Sequence, residues 1–281
     1  MKRSVSKTKI RGLSLVEVMV SLVIGLVVVG AVMVTYLGTG KTSRYQAAYA
    51  EMNENAQIAL GILSRDLLLA GYAQPTGFDA GTGKLTRTYA DRAVFGCDNG
   101  FVSPSTTGLA ACAASGGRPS IEVVYEADLK NTVPTSSNVP SDCLGSGLTD
   151  LGGYYLAYNR YYLATGSSGR SELHCASRQG NAGQPLVDNV DAMKVWYGEA
   201  NAAEPRAIVR YVSAGNVTDW GLIVSVRICL LMRSSEPLMQ TGGIEDTLTY
   251  LDCDSAQQTS NDRYIRRAYF TTTTLRNKMA L

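Results

Sequence analysis

Not one charged side chain lies between Glu17 and Lys41. The apolar run that begins before Glu17 and continues to about Leu37 is therefore long enough to cross a bilayer core, which needs about 20 apolar residues. Histidine is almost missing as well. His174 is the single one, beside Cys175, and neighbours on a strand point to opposite faces, so the two form no nucleophile–base dyad. No Cys-x-x-Cys pair occurs, and the wide, irregular cysteine spacing excludes zinc and iron–sulfur sites. Gly40-Lys41-Thr42 matches the end of a phosphate-binding loop, but Thr35 stands where that motif needs its first glycine. Asp252, Asp254 and Asp262 fit no EF-hand spacing and read as a solvated turn around Cys253. There is no internal repeat. With no catalytic set, the chain reads as no enzyme, with no cofactor and no metal.

What is present is concentrated at the start. Lys2, Arg3, Lys7, Lys9 and Arg11 make the first twelve residues basic. Without those five, the formal charge of the rest falls from +2 to about −3, which does not indicate a basic nucleic-acid module. Basic flanks stay cytoplasmic, so the bulk of the chain faces the periplasm. Glu17 sits at membrane depth, where a carboxylate costs roughly 2.5–3.5 kcal/mol and usually marks function. A secretory signal peptide has a shorter apolar core and a small-residue cleavage site after it, and no cysteine closes the run as in a lipoprotein. A plain anchor accounts for the basic flank and the apolar run, but not for Gly12 and Glu17 together.

The apolar segment, 13–40, reads as a membrane helix and runs on, with fraying near Gly38–Thr42, into an amphipathic helix over 41–71. Tyr45, Tyr49, Met52, Ala56, Ala59, Leu60, Leu63, Leu67 and Ala70 recur at three- and four-residue steps, and Gly71 is placed to cap the end. Residues 72–119 show little periodicity and read as a long connection. Strands are expected at 120–126, 154–165, 171–176, 192–198, 206–212, 222–233 and 263–276. In the strand at 222–233, Val224, Val226, Ile228, Leu230 and Met232 are expected on one face. Six cysteines, Cys97, Cys112, Cys143, Cys175, Cys229 and Cys253, follow an export segment and read as disulfides. Fifteen connectivities are open, and pairing between sequence neighbours is preferred because each bridge then staples a Gly/Ser/Asn-rich loop. The abundance of Gly (28) and of Tyr over Phe (16 to 4) suits a loop-rich exported β domain. The fold class is α+β: a long N-terminal helix packed on an antiparallel sheet, with disulfide-stapled loops over 72–281.

Gly12-Leu13-Ser14-Leu15-Val16-Glu17 and the apolar run after it resemble the class III signal of type IV prepilins. Three further stretches resemble the PilW-type minor pilins: Asn53-Glu54-Asn55-Ala56 through Ala70-Gly71-Tyr72, Val224–Arg233, and Arg266-Arg267 to Asn277. The resemblance implies a pilin-like fold, a basic leader over 1–12 and cleavage by a prepilin peptidase between Gly12 and Leu13. It also implies methylation of Leu13 and an assembly role for Glu17. Partners would be other minor pilins, the major pilin and an adhesin-like tip protein, first at the inner membrane and then in a pilus. A J-type pseudopilin of type II secretion is the alternative within that class. A membrane-anchored periplasmic binding domain is the alternative outside it. Direct nucleic-acid binding would rest on Arg263, Arg266, Arg267 and Arg276, which also suit edge protection.

Overall fold

A computed structural model describes residues 12, 14–89, 91–237 and 247–278. Among these residues one α-helix, α1, runs from Leu15 to Leu69. Thirteen strands follow: β1 (Pro75–Asp79), β2 (Lys84–Arg87), β3 (Val94–Cys97), β4 (Ser120–Ala127), β5 (Tyr155–Thr165), β6 (Ser171–Ser177) and β7 (Gln184–Asp188). The rest are β8 (Val190–Asn201), β9 (Glu204–Val212), β10 (Ile223–Arg233), β11 (Leu248–Leu251), β12 (Gln257–Ser260) and β13 (Arg266–Thr274). The chain divides into two compact units, 1–47 and 48–281, each described by itself.

In the second unit, antiparallel strands form a five-stranded sheet, β3-β4-β5-β6-β7, and a four-stranded sheet, β13-β10-β8-β9. The chain passes from one sheet to the other at Asn189, which takes a left-handed conformation (φ 61°) and accepts the Arg233 amide. Met52, Ala56, Ala59, Leu63, Leu67 and Ala70 are buried at steps of three and four residues, the spacing of one helix face. They share one core with Ile121, Val123 and Tyr125 of β4, Tyr161 of β5, Val195 and Tyr197 of β8, and Ile228 and Leu230 of β10. The stripe starts at Met52 and not at Tyr45, since Tyr45 and Tyr49 are both exposed. The helix stops at Gly71, whose positive φ (73°) suits glycine. Its amide donates to the Val124 carbonyl, and Tyr72 then accepts the Glu126 amide, so the chain leaves the helix along β4.

Three further sequence expectations change. The helix is unbroken through Gly38–Thr42. The long connection after it contains the β1–β2 hairpin and β3. Its low periodicity has a physical source, because all of β1 is exposed and offers no alternation. In β10 a register shift between Ile223 and Ser225 takes Val224 out of the inward series, so Ile223 joins Val226, Ile228, Leu230 and Met232 in the core.

Gly96 of β3 lies against Tyr197, and a Cβ there would fall 1.8 Å from Tyr197 Oη and 3.2 Å from the Ser120 carbonyl. Tyr197 is fully buried and packs edge-on against Trp220 with centroids 4.9 Å apart, so it has little room to retreat. Gly96→Ala is expected to cost about 1–3 kcal/mol through overpacking. Denaturant unfolding of the oxidised protein measures it, and a change below about 0.5 kcal/mol would show that the ring moves freely.

Candidate functional site

The N-terminal turn is built from few groups. Gly12 is exposed and nothing approaches within 4 Å of a Cβ built on it. Leu13 and the rest of the leader lie outside the described residues. The Val18 amide donates to the Ser14 carbonyl, and Glu17 stands in the first turn of α1. Ser21 Oγ donates to the Glu17 carbonyl at 2.7 Å, Thr35 Oγ1 to Ala31 at 2.9 Å and Thr39 Oγ1 to Thr35 at 2.8 Å. These hydroxyls satisfy themselves on their own helix, as hydroxyls in an apolar medium must. The span Leu15–Tyr36 has a mean hydropathy of 2.7, and none of its most apolar window is buried. Val18, Ser21, Leu22 and Gly25 flank Glu17 in a shallow, open, apolar surface. An apolar face with one carboxylate at its head requires a non-aqueous cover.

In the second unit a buried polar group pins the helix. Asp66 falls on the apolar stripe, three residues after Leu63 and four before Ala70. Its Oδ2 accepts from Asn159 Nδ2 and from Tyr161 Oη, both at 2.6 Å. Asn159 Nδ2 also lies 3.3 Å from Tyr125 Oη, and Asn159 Oδ1 accepts the Cys143 amide at 3.0 Å. Helix, β4, β5 and the loop before β5 therefore meet on one amide. Burial raises the Asp66 carboxyl above its ordinary value, against the hydrogen bonds from Tyr161 and Asn159 and the charge of Arg65.

The outer face of the five-stranded sheet is covered as well. Glu122 of β4 and Arg160 of β5 are opposite in register and fully buried, with Nε 2.6 Å from Oε2. Arg160 also donates to the carbonyls of Pro104, Thr106 and Gly108, and Arg178 to that of Thr107. Those contacts clamp the 98–119 loop onto the five-stranded sheet, and the Cys97–Cys112 disulfide closes it. Cys143–Cys175 ties the 128–154 loop to β6, and Cys229–Cys253 ties the β11–β12 hairpin to β10. The described cysteines are thus joined between sequence neighbours, and none is free. At the far edge Glu199 is held at about 2. Burial opposes its ionisation, but the Thr218 hydroxyl, Arg210 and the amides of Asp219 and Thr218 outweigh it.

The remaining sequence candidates resolve into structural contacts. His174 Nε2 lies 3.2 Å from Glu172 Oε2, and Cys175 is in a disulfide. Asp252 caps its own turn through the amides of Asp254 and Ala256, Asp254 pairs with Lys194, and Asp262 pairs with Arg266. Gly40-Lys41-Thr42 is helical, not a loop. Among the described residues no group of three or more His, Cys, Asp or Glu is placed to hold a metal. Arg266 is committed to Asp191 and Asp262, and Arg267 lies over the Tyr269 ring, which breaks up the proposed basic strand. Sequence reasoning missed Asp66, Arg160 and Glu122. Only Asp66 left a signal, an acid inside an apolar stripe.

Comparison with known proteins bears on this arrangement at two places. The Prokaryotic N-terminal methylation motif matches residues 7–33, across Gly12 and Glu17. The family described as Type IV Pilus-assembly protein W, PilW, matches residues 160–277, from the middle of β5 through β13. Behind a prepilin-type signal, the chain carries a segment similar to the PilW type of pilin. Its signal and apolar helix place it in the inner membrane before assembly into a pilus. The PilW match starts at Arg160, so it includes Cys175, Cys229 and Cys253 but not the helix stretch Asn53–Tyr72. A solved type IV-like pilin from Thermus thermophilus aligns at 13% identity and a TM-score of 0.36, over 80% of this chain and 97% of that one. No curated protein matches the sequence.

The Asp66 pin has a testable pH signature. A raised native pKa means that the folded state binds the proton more tightly than the unfolded state. Stability from this group is therefore fullest below its ordinary value of 3.8 and declines as pH rises towards the native value. Asp66→Asn should keep the acceptor and lose that decline, so the variant gains on the wild type as pH rises through the window. Asp66→Leu strands Asn159 and Tyr161 and should cost about 2–4 kcal/mol. Chemical unfolding of the three proteins from pH 3 to 8 measures both, and parallel wild-type and Asp66→Asn profiles would contradict the assignment.

Proposed function

We propose that this PilW-type pilin is a low-abundance subunit that joins other minor pilins in a tip complex priming assembly of the major pilin. Prepilin peptidase cuts between Gly12 and Leu13, and the new amine is methylated. The leader over 1–12 stays cytoplasmic, residues 13–40 pack first in the membrane and then in the filament core, and 72–281 form the exported domain. The complex then supports an adhesin-like protein at the pilus tip.

The observation that carries this reading is the wholly exposed apolar span Leu15–Tyr36 with Glu17 as its one carboxylate. Cleavage turns an uncharged amide at Leu13 into a cationic amine, four residues from Glu17. Between subunits in low dielectric the two charges attract strongly, whereas an unpaired charge there costs several kcal/mol. A subunit that docks out of step leaves a charge unmatched, so the pair sets register. The protein is the peptidase's substrate and supplies no chemistry of its own. Glu17→Ala is expected to leave membrane insertion intact and to reduce pilus number sharply, counted by electron microscopy. Normal pilus counts would remove Glu17 from assembly. N-terminal mass spectrometry of the protein from its native membrane should give a chain beginning at methylated Leu13, and retention of Met1–Gly12 would leave a plain anchored domain.

A further inference from the structure

The outer face of the four-stranded sheet is only partly covered. The disulfide-tied β11–β12 hairpin buries Cys229 and Leu231, with Ala192, Trp196, Tyr250 and Ala268 packed around them. Beside it Arg227 stands exposed. Arg227 is directly opposite Trp196 in the β8–β10 register, and Phe270 is paired with Cys229, two residues along β10. The guanidinium carbon lies 5.5 Å from the Trp196 ring centre and 5.1 Å from that of Phe270. Stacking of this kind fixes the plane of the side chain while leaving its edge open. Arg92, Arg160, Arg210, Arg233 and Arg266 each lie against a carboxylate. Arg227 forms no hydrogen bond or ion pair among the described residues.

That edge opens on a notch of about 330 Å³ lined by Trp196, Tyr211, Arg227, Cys253, Asp254 and Ser255. The Asp254 carboxylate is already held by Lys194, which leaves the notch with one uncompensated positive charge. Tyr211 is fixed by packing on Gly198, where a Cβ would come within 3.1 Å of its ring, and its hydroxyl lies 3.2 Å from Ser225 Oγ. A fixed cation between fixed rings needs little reordering to bind.

We propose that Arg227, held between Trp196 and Phe270, is the receptor for a carboxylate on an acidic peptide segment of a partner protein. The planar fork of arginine matches the two oxygens of a carboxylate, and Trp, Tyr and Arg are the residues that dominate protein–protein contacts. The volume suits one or two side chains. A nucleic-acid strand would need several cations tracking its backbone, whereas Lys194 and Arg266 are spent on Asp254, Asp191 and Asp262. The receptor stands whether or not the chain sits at a pilus tip.

Trp196, one of two tryptophans, reports on the site. The full chain in nonionic detergent is titrated with a blocked Gly-Glu-Asp-Glu-Gly peptide, with a short oligothymidylate and with a neutral oligosaccharide. A saturable fluorescence change with the peptide alone is expected. Affinity should fall about tenfold or more in Arg227→Gln, consistent with loss of a charge-assisted pair, and less in Arg227→Lys. Unfolding temperature should fall by no more than about 4 °C in both, since stacking on Trp196 and Phe270 is all the guanidinium contributes to the fold. Absence of peptide binding, equal binding by Arg227→Gln, or the oligothymidylate or oligosaccharide binding through Arg227 instead would each overturn the assignment.

Discussion

One carboxylate decides how the second unit is put together. An apolar stripe alone would let a helix slide or rotate on a sheet at small cost, because dispersion and burial are not directional. Asp66 removes that freedom. Among the described residues its side chain bonds to Asn159 and Tyr161, both on β5 and both buried. Displacement by one residue would strand three polar groups, and each such group costs about 1–3 kcal/mol. Asn159 extends the constraint to Cys143, whose disulfide reaches β6. Helix position, sheet position and the loop that closes the core are therefore set by one hydrogen-bonded cluster.

The outer faces answer a different problem. A sheet packed on a helix on one side has a second side to cover, and here the cover is irregular chain. Irregular chain carries unpaired carbonyls that must be satisfied wherever they are buried. Arg160 and Arg178 do this for four consecutive-to-alternate positions from Pro104 to Gly108, while Glu122 offsets the charge of Arg160. The Cys97–Cys112 bridge then limits the freedom of the unfolded loop, a contribution of about 3 kcal/mol for a loop of this length. Cys229–Cys253 holds the hairpin on the other sheet in the same way. Polar clamps and disulfides replace the second helix layer that a larger α/β protein would use.

The parts legible in sequence were those with a strong period. β5, β10 and β13 lay within expected segments, and β4, β6, β8 and β9 overlapped theirs while running one to three residues beyond an end, because alternation survives wherever one face meets the core. The helix stripe was legible from Met52 onward, and the neighbour pairing of cysteines is the pairing the structure holds. The rest failed for identifiable reasons. β1, β2, β11 and β12 form two-stranded hairpins with exposed or mixed faces, so no pattern marks them. Tyr45 and Tyr49 continue the helical spacing past the point where anything buries them. Glu122 and Arg160 left no signal, since a sequence does not reveal that the 98–119 loop will fold back over them.

The first unit poses the reverse case, a segment whose apolar character was legible and which stands exposed. Leu15–Tyr36 carries the hydropathy of a lipid-facing helix and hydroxyls satisfied internally. A lipid-facing helix has no need of Glu17, and a helix–helix interface does not by itself need a span of this hydropathy. Both features together suit the proposed course of the segment, which would live in two media in turn, a bilayer and then the packed core of a filament. In the first, the acid stands at the membrane edge beside a basic flank. In the second, on the proposed assembly, the same acid would become costly unless a cation from another subunit met it, and that cost would make entry into the filament selective.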